Sequence, residues 1–107
     1  MLTRDDIRAA ALALPEAYES SHFDVVDFRV NKKIFCTIHQ DVARAVLKLH
    51  PEDQHNLLDG DAIQKIDGAW GGKGWTYLYF EKLEPERLPV LLRLAWATVA
   101  PKRLLKG

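Results

Sequence analysis

Alternation of apolar and polar residues predicts three consecutive strands between residues 26 and 49. The apolar sets are Val26, Phe28 and Val30, then Ile34, Cys36 and Ile38, then Ala43, Ala45, Leu47 and Leu49. A period of two is typical of strands that cover a core on one face only. Asn31–Lys32 is a turn signal and separates the first two strands.

Apolar residues at helical spacing predict three helices. Thr3 followed by Asp6 resembles a capping box and starts the first helix, which Pro15 ends. Proline suits a first helical turn, so Pro51–Leu58 is predicted as a short second helix. The apolar stripe over Leu88–Val99 predicts the last helix.

The remaining segments complete a prediction of fold class. Residues 17–22 and 62–66 are predicted as short strands, and Gly74–Lys82 as a long one. The order is then α, three or four strands, α, two strands, α. Short connections favour an antiparallel sheet with helices on one face, a two-layer α+β fold. The 107 residues are predicted to form a single domain, 1–107.

Four glycines and two tryptophans lie within residues 68–75. Glycine permits positive φ and close backbone approach, so the segment is predicted to be a tight loop that leads into a strand. Trp70 and Trp75 then need a pocket or a partner, since each carries a large apolar surface. The segment lacks the Gly-Lys-Ser/Thr ending of a phosphate-binding P-loop.

Charge is balanced overall but unevenly distributed. Fifteen basic and fifteen acidic residues argue against strong, non-specific nucleic-acid binding. Residues 28–49, however, hold five basic residues and one acidic residue. A local basic face is therefore compatible with a neutral protein. The single cysteine and the absence of a long apolar run favour a cytoplasmic protein that does not enter a membrane.

No residue set indicates catalysis, a metal or a cofactor. Cys36 and His39 are an odd number of residues apart, which places them on opposite faces of a strand. His50 and His55 lack a spacing that brings two metal ligands onto one helix face. We therefore expect a binding protein without enzymatic activity.

Several short motifs together resemble the MmcQ/YjbR family. They are Leu14-Pro15, Phe28-Arg29-Val30, Lys32-Lys33-Ile34-Phe35, Lys48-Leu49, Trp70-Gly71, Gly74-Trp75, Ala95-Trp96 and Val99-Ala100-Pro101-Lys102. The resemblance implies a secretion-chaperone-like α+β fold, also likened to a double-wing DNA-binding arrangement in which β-hairpins act as wings. Trp96, at a position where the family has a smaller aromatic residue, is interpreted as a packing variation.

The outer face of the sheet is the candidate site. DNA binding is predicted to centre on Arg29, Lys32, Lys33, Arg44 and Lys48. A stacking surface or pocket is assigned to Phe35, Trp70, Lys73, Trp75 and Tyr77. Interleaved cations and aromatic rings suit stacking and phosphate contact. They also occur on ordinary solvated sheets, and tip lysines discourage aggregation. An adaptor or chaperone-like role, with a homodimer or another protein as partner, and a small-ligand pocket both remain open alternatives.

Overall fold

The computed structural model describes residues 1–105, and the last two residues of the predicted single domain lie outside that range. The helices are α1 (Arg4–Leu12), α2 (Pro51–Leu57), α3 (Ala69–Gly72), α4 (Leu88–Ala97) and α5 (Lys102–Leu105). The strands are β1 (Tyr18–His22), β2 (Val25–Val30), β3 (Lys33–Ile38), β4 (Ala45–Lys48), β5 (Ile63–Lys65) and β6 (Trp75–Leu78). Short 3₁₀ helices cover Phe80–Lys82 and Pro85–Arg87.

The six strands form one antiparallel sheet in the order β1-β2-β3-β4-β6-β5. Helix α4 packs on β3 and β4 and also contacts α1. The α+β class and the antiparallel sheet predicted from the sequence are therefore confirmed. None of the helices within residues 1–105 has both the length and the apolar character that a bilayer crossing requires.

The capping box that the sequence predicts at the start of α1 is present. The backbone N–H of Thr3 donates to Asp6 Oδ2 at 2.8 Å, and Asp6 N–H returns a bond to Thr3 Oγ1, which completes the capping box. Arg4 then joins α1 to the connection after β3, donating from Nε to the carbonyl of His39 at 2.9 Å.

Trp96 of α4 is fully buried, and its indole N–H donates to the carbonyl of Pro15 at 3.0 Å.

Two predictions for the segment around β6 are wrong. Residues 69–72 form one helical turn, α3, where a tight loop was expected. The strand predicted over Gly74–Lys82 ends at Leu78 and gives way to a 3₁₀ turn. Phe80 is almost completely buried. The 3₁₀ turn lets Phe80 pack in the core although the strand has ended.

A β-bulge in β3 changes which residues face the core. Phe28 pairs with Cys36, but Arg29 pairs with Ile34, so Phe35 is an extra residue without a partner on β2. Phe35 and Cys36 are both fully buried. The prediction that Phe35 lies on the outer face is therefore wrong, and Ile34 occupies that face in its place.

We expect Leu92→Asp to unfold the protein, because Leu92 is fully buried in α4 and an unpaired carboxylate there costs several kcal/mol. Val90→Asp is the matched control, since Val90 lies on the same helix and is 62% exposed. Thermal denaturation followed by circular dichroism measures both. A Leu92→Asp protein that melts within a few degrees of the unmodified chain would contradict the assignment of the core.

Candidate nucleic-acid interface

The outer face of the sheet carries a groove of about 730 Å³. Strand pairing explains which residues form the base of the groove. Thr37, Val46 and Tyr77 are paired across β3, β4 and β6, and Lys48 of β4 is paired with Trp75 of β6. Residues directly opposite each other in an antiparallel pair project to the same face. The volume lies in the range usual for ligand sites. The remaining lining residues are His22, Arg29, Lys32, Lys33, Ile34, His39, Ile66, Trp70 and Val99.

The groove is lined by cations without exposed carboxylates. Arg29, Lys32, Lys33 and Lys48 contribute four basic groups, and among residues 1–105 no Asp or Glu belongs to the lining. The whole protein has equal numbers of acidic and basic residues. The groove is therefore a place where positive charge has been separated from negative charge, and it favours an anion.

Aromatic rings form one side of the groove. The rings of Trp70 and Trp75 meet edge to face, with their centroids 6.0 Å apart. Lys48 Nζ lies 5.7 Å from the centre of the Trp75 ring, and Tyr77 continues the aromatic surface along β6. Trp70 is 63% exposed, so part of its ring surface is available to a ligand.

Two glycines and Gln54 hold the aromatic side in place. A Cβ at Gly74, where φ is +100°, would lie 1.8 Å from the carbonyl oxygen of Leu49. A Cβ at Gly71 would lie 1.6 Å from the carbonyl oxygen of Ile66. The buried Gln54 amide approaches the carbonyls of Gly71 and Trp75 at 3.1 and 3.2 Å. The glycine-rich sequence thus allows α3 to pack tightly between β5 and β6 and places both tryptophans.

A buried carboxylate organises the opposite side. Asp27 is completely buried, and its oxygens accept from Arg29 Nε at 2.8 Å and Nη2 at 3.1 Å. His22 Nδ1 lies 2.7 Å from Asp27 Oδ2. Burial by itself raises the pKa of Asp27, but the hydrogen bonds from Arg29 and His22 outweigh it and lower that pKa below its usual value. Asp27 is therefore ionised at neutral pH, and His22 Nδ1 carries the proton that it donates.

A neutral histidine, His39, lines the groove directly after β3. Burial and the positive charge of Arg44 lower the pKa of His39, although Asp41 opposes the shift. Arg44 Nε donates to His39 Nδ1 at 2.9 Å, which requires an unprotonated Nδ1. The Arg44 guanidinium also lies 4.3 Å above the Tyr77 ring. These contacts fix Arg44 against the sheet.

The structure brings together most of the site residues predicted from the sequence. Arg29, Lys32, Lys33, Lys48, Trp70, Trp75 and Tyr77 all line the groove. Arg44 and Lys73 do not belong to the lining, and each instead lies over an aromatic ring, Tyr77 and Trp70 respectively. Phe35 is in the core because of the bulge.

Asp27 and Gln54 are the residues that the sequence did not indicate. Local alternation marks Asp27 only as a polar position of β2, although its two-residue separation from Arg29 places both on one face of that strand. The two-residue spacing is the sequence signal that could have indicated the Asp27–Arg29 pair. Gln54 lies on the short helix α2, and its partners are 17 to 22 residues away, so no local pattern could have indicated its role.

The geometry offers little for covalent chemistry or metal binding. Burial, helped by the charge of Asp27, strongly raises the pKa of the Cys36 thiol, so the thiolate is disfavoured. Within the described part of the chain, no three His, Cys, Asp or Glu side chains are grouped so that they could hold a metal ion.

We expect Gly74→Ala to destabilise the protein by more than ~1 kcal/mol, because alanine is strained at this φ and its Cβ meets Leu49. Gly72→Ala is the control: nothing lies within 4 Å of its added Cβ, and its stability should change by less than about 0.5 kcal/mol. Urea denaturation followed by tryptophan fluorescence compares the two. Equal stabilities would show that the close approach is not required.

Comparison with known proteins supplies a family. The family model described as YjbR matches residues 12–98. The crystal structure of the Deinococcus radiodurans protein DR2400, with the family-model domain DUF419, superposes with a TM-score of 0.76 at 26% identity, over 92% of this chain and 79% of that one. No curated protein sequence gives a significant match. Because the family model spans most of the sequence, this chain belongs to the YjbR family.

Proposed function

We propose that the protein binds single-stranded nucleic acid, without catalysis, through the groove on the outer face of its sheet. The observation that carries this proposal is the composition of the groove: four basic side chains and no acidic one, on a chain whose total charge is zero. Lysine and arginine side chains neutralise phosphate groups and hydrogen-bond to them. Phosphate is therefore the anion that we expect in this groove.

The aromatic side of the groove favours a ligand with planar rings. Trp70, Trp75 and Tyr77 supply three ring surfaces beside the basic groups. Base–aromatic stacking contributes roughly 1–3 kcal/mol per base and tolerates any sequence. A ligand that pairs phosphates with bases uses both halves of this surface, whereas a simple anion uses only one.

Stacking also favours a single strand over a duplex as the ligand. In a duplex the bases are stacked on each other, so their faces cannot reach Trp70 or Trp75. Lys32 and Lys33, at the exposed tip of the β2–β3 hairpin, can contact a phosphate backbone in either case. We take this hairpin as the counterpart of the wing that the family resemblance implies. The aromatic groove beside it is what favours the unpaired strand.

We expect Lys32→Glu combined with Lys33→Glu to abolish binding of a short, mixed-sequence DNA strand while leaving the melting temperature nearly unchanged. Both lysines are exposed, and within residues 1–105 neither forms an ion pair. Fluorescence anisotropy at ~50 mM salt, where phosphate contacts are strongest, measures the affinity. Lys82→Glu combined with Lys102→Glu changes the net charge equally outside the groove and should retain most of the binding.

The same titrations test the preference for unpaired bases. The unmodified protein should bind the single strand more tightly than a duplex of the same sequence, and Trp75→Ala should reduce this difference. Absence of strand binding at ~50 mM salt, or equal losses in the two charge-reversed proteins, would refute the proposal.

A protein partner is the second candidate, and one observation favours it. Phe23 lies at the turn between β1 and β2, is 96% exposed and has a φ of +49°, which is unusual for a bulky residue. Strand β1 is an edge strand, whose outer backbone groups are open to pairing.

We expect this edge to join two copies if it serves as an interface. Size-exclusion chromatography with light scattering should then show a dimer that Phe23→Ser weakens. A monomer at all accessible concentrations would exclude self-association through this edge. The control Val42→Ser alters another exposed apolar residue, 41% exposed, in the connection between β3 and β4.

A further inference from the structure

The groove has a basic end and an aromatic end. Arg29, Lys32 and Lys33 come from the single hairpin formed by β2 and β3, whereas Trp75 and Tyr77 lie on β6. Strand β4, with Lys48, lies between them. Neighbouring strands are about 4.8 Å apart, so roughly 10 Å separates β3 from β6. A ligand that spans the groove therefore meets Lys32, Lys33 and the Asp27-paired Arg29 at one end and rings at the other.

Several basic side chains at one end of the groove suit a terminal phosphate better than the phosphodiester groups within a strand. A phosphodiester carries one negative charge, and successive phosphodiesters are spread along the backbone. A terminal phosphate monoester carries close to two negative charges and offers three acceptor oxygens. Arg29, Lys32 and Lys33, which line the groove from one hairpin, match the second arrangement better.

Arg29 is prepared for such a group before any ligand arrives. Asp27, which has no exposed surface, accepts from Nε and Nη2 of the guanidinium and fixes its plane. The other amino group of the guanidinium, Nη1, is not used by Asp27. Because an arginine fork donates two parallel hydrogen bonds only when its plane is correctly oriented, the buried carboxylate limits how Arg29 can present its remaining donors.

We propose that the β2–β3 end of the groove is a subsite for a terminal phosphate monoester on a nucleotide unit, and that Asp27 is the positioning residue that orients Arg29 toward it. The proposal rests on the proposed function, since it places the end of a bound strand in the same groove. Lys32 and Lys33 supply additional charge, and Trp70 and Trp75 take the base. The nucleotide unit belongs either to the end of a strand or to a free nucleotide.

Asp27→Asn tests the positioning role because two effects of opposite sign are expected. Removing a negative charge beside the groove should strengthen the binding of any anion if only charge matters. If Asp27 positions Arg29, the same substitution should weaken the binding of a terminal phosphate. Asp24→Asn is the matched control: Asp24 is exposed in the β1–β2 turn, and asparagine tolerates its φ of +64°.

The experiment uses one six-nucleotide strand with a 5′-phosphate, a 3′-phosphate or neither, labelled at the opposite end. For the unmodified protein, one of the two phosphorylated forms should bind about tenfold more tightly than the unphosphorylated form, the effect of one charge-assisted contact. Asp27→Asn should remove this advantage, so that the phosphorylated and unphosphorylated strands bind to the variant with equal affinity. Asp24→Asn should keep the advantage. Lys32→Gln with Lys33→Gln, at an exposed tip, should also reduce it and covers the case in which Asp27→Asn does not fold.

The outcomes separate the subsite from the proposed function. Equal binding of all three strands, or an undiminished advantage in Asp27→Asn, overturns the subsite but leaves strand binding intact. If no strand binds, the proposed function fails, and calorimetry with adenosine 5′-monophosphate against adenosine still tests the subsite alone. Preference for the monophosphate would assign a free nucleotide as its source. No preference in either assay would exclude the subsite.

Discussion

One extra residue in β3 decides which side chains the groove contains. Without the bulge at Phe35, strict alternation would place Phe35 beside Arg29 and Ile34 beside Val30 in the core. With it, two successive residues, Phe35 and Cys36, enter the core, and Ile34 lies in the groove. The bulge also leaves two residues, Asn31 and Lys32, with φ of +55° and +63°, as the turn of the hairpin. The basic tip and the floor of the groove therefore depend on the same irregularity.

The two ends of the groove are supported by different physical means. At the aromatic end, the support comes from backbone packing. Gly71 and Gly74 let carbonyl groups approach so closely that no side chain fits, and Gln54 donates to the carbonyls of Gly71 and Trp75. At the basic end, the support is electrostatic, because the carboxylate of the buried Asp27 accepts hydrogen bonds from Arg29 and His22. Removal of either partner would leave a buried charge with fewer compensating bonds, which is costly.

The sequence predicted the parts of this structure that local chemistry controls. The capping box at Thr3, the turn at Asn31–Lys32 and the buried stripe of α4 each depend on residues close in the chain, and each is present. The family resemblance and the α+β class follow from the order of such elements. The face of Phe35 was not predictable, because a bulge depends on pairing with a second strand, where local alternation carries no information. For the same reason local alternation does not distinguish Asp27 from an ordinary polar residue, because its partner His22 lies on the neighbouring strand β1.

Long-range contact also explains why two of the predicted basic residues lie outside the groove. Arg44 and Lys73 have the charge that the prediction required, but each lies against a ring, and neither lines the groove. Of the four basic residues that do, Arg29 is largely neutralised by Asp27, which leaves Lys32, Lys33 and Lys48 as the net positive charge. Three phosphate contacts correspond to a salt dependence of only about two powers of the salt concentration for a single strand. The proposed strand binding therefore requires a large part of its free energy to come from stacking on Trp70, Trp75 and Tyr77 as well as from charge.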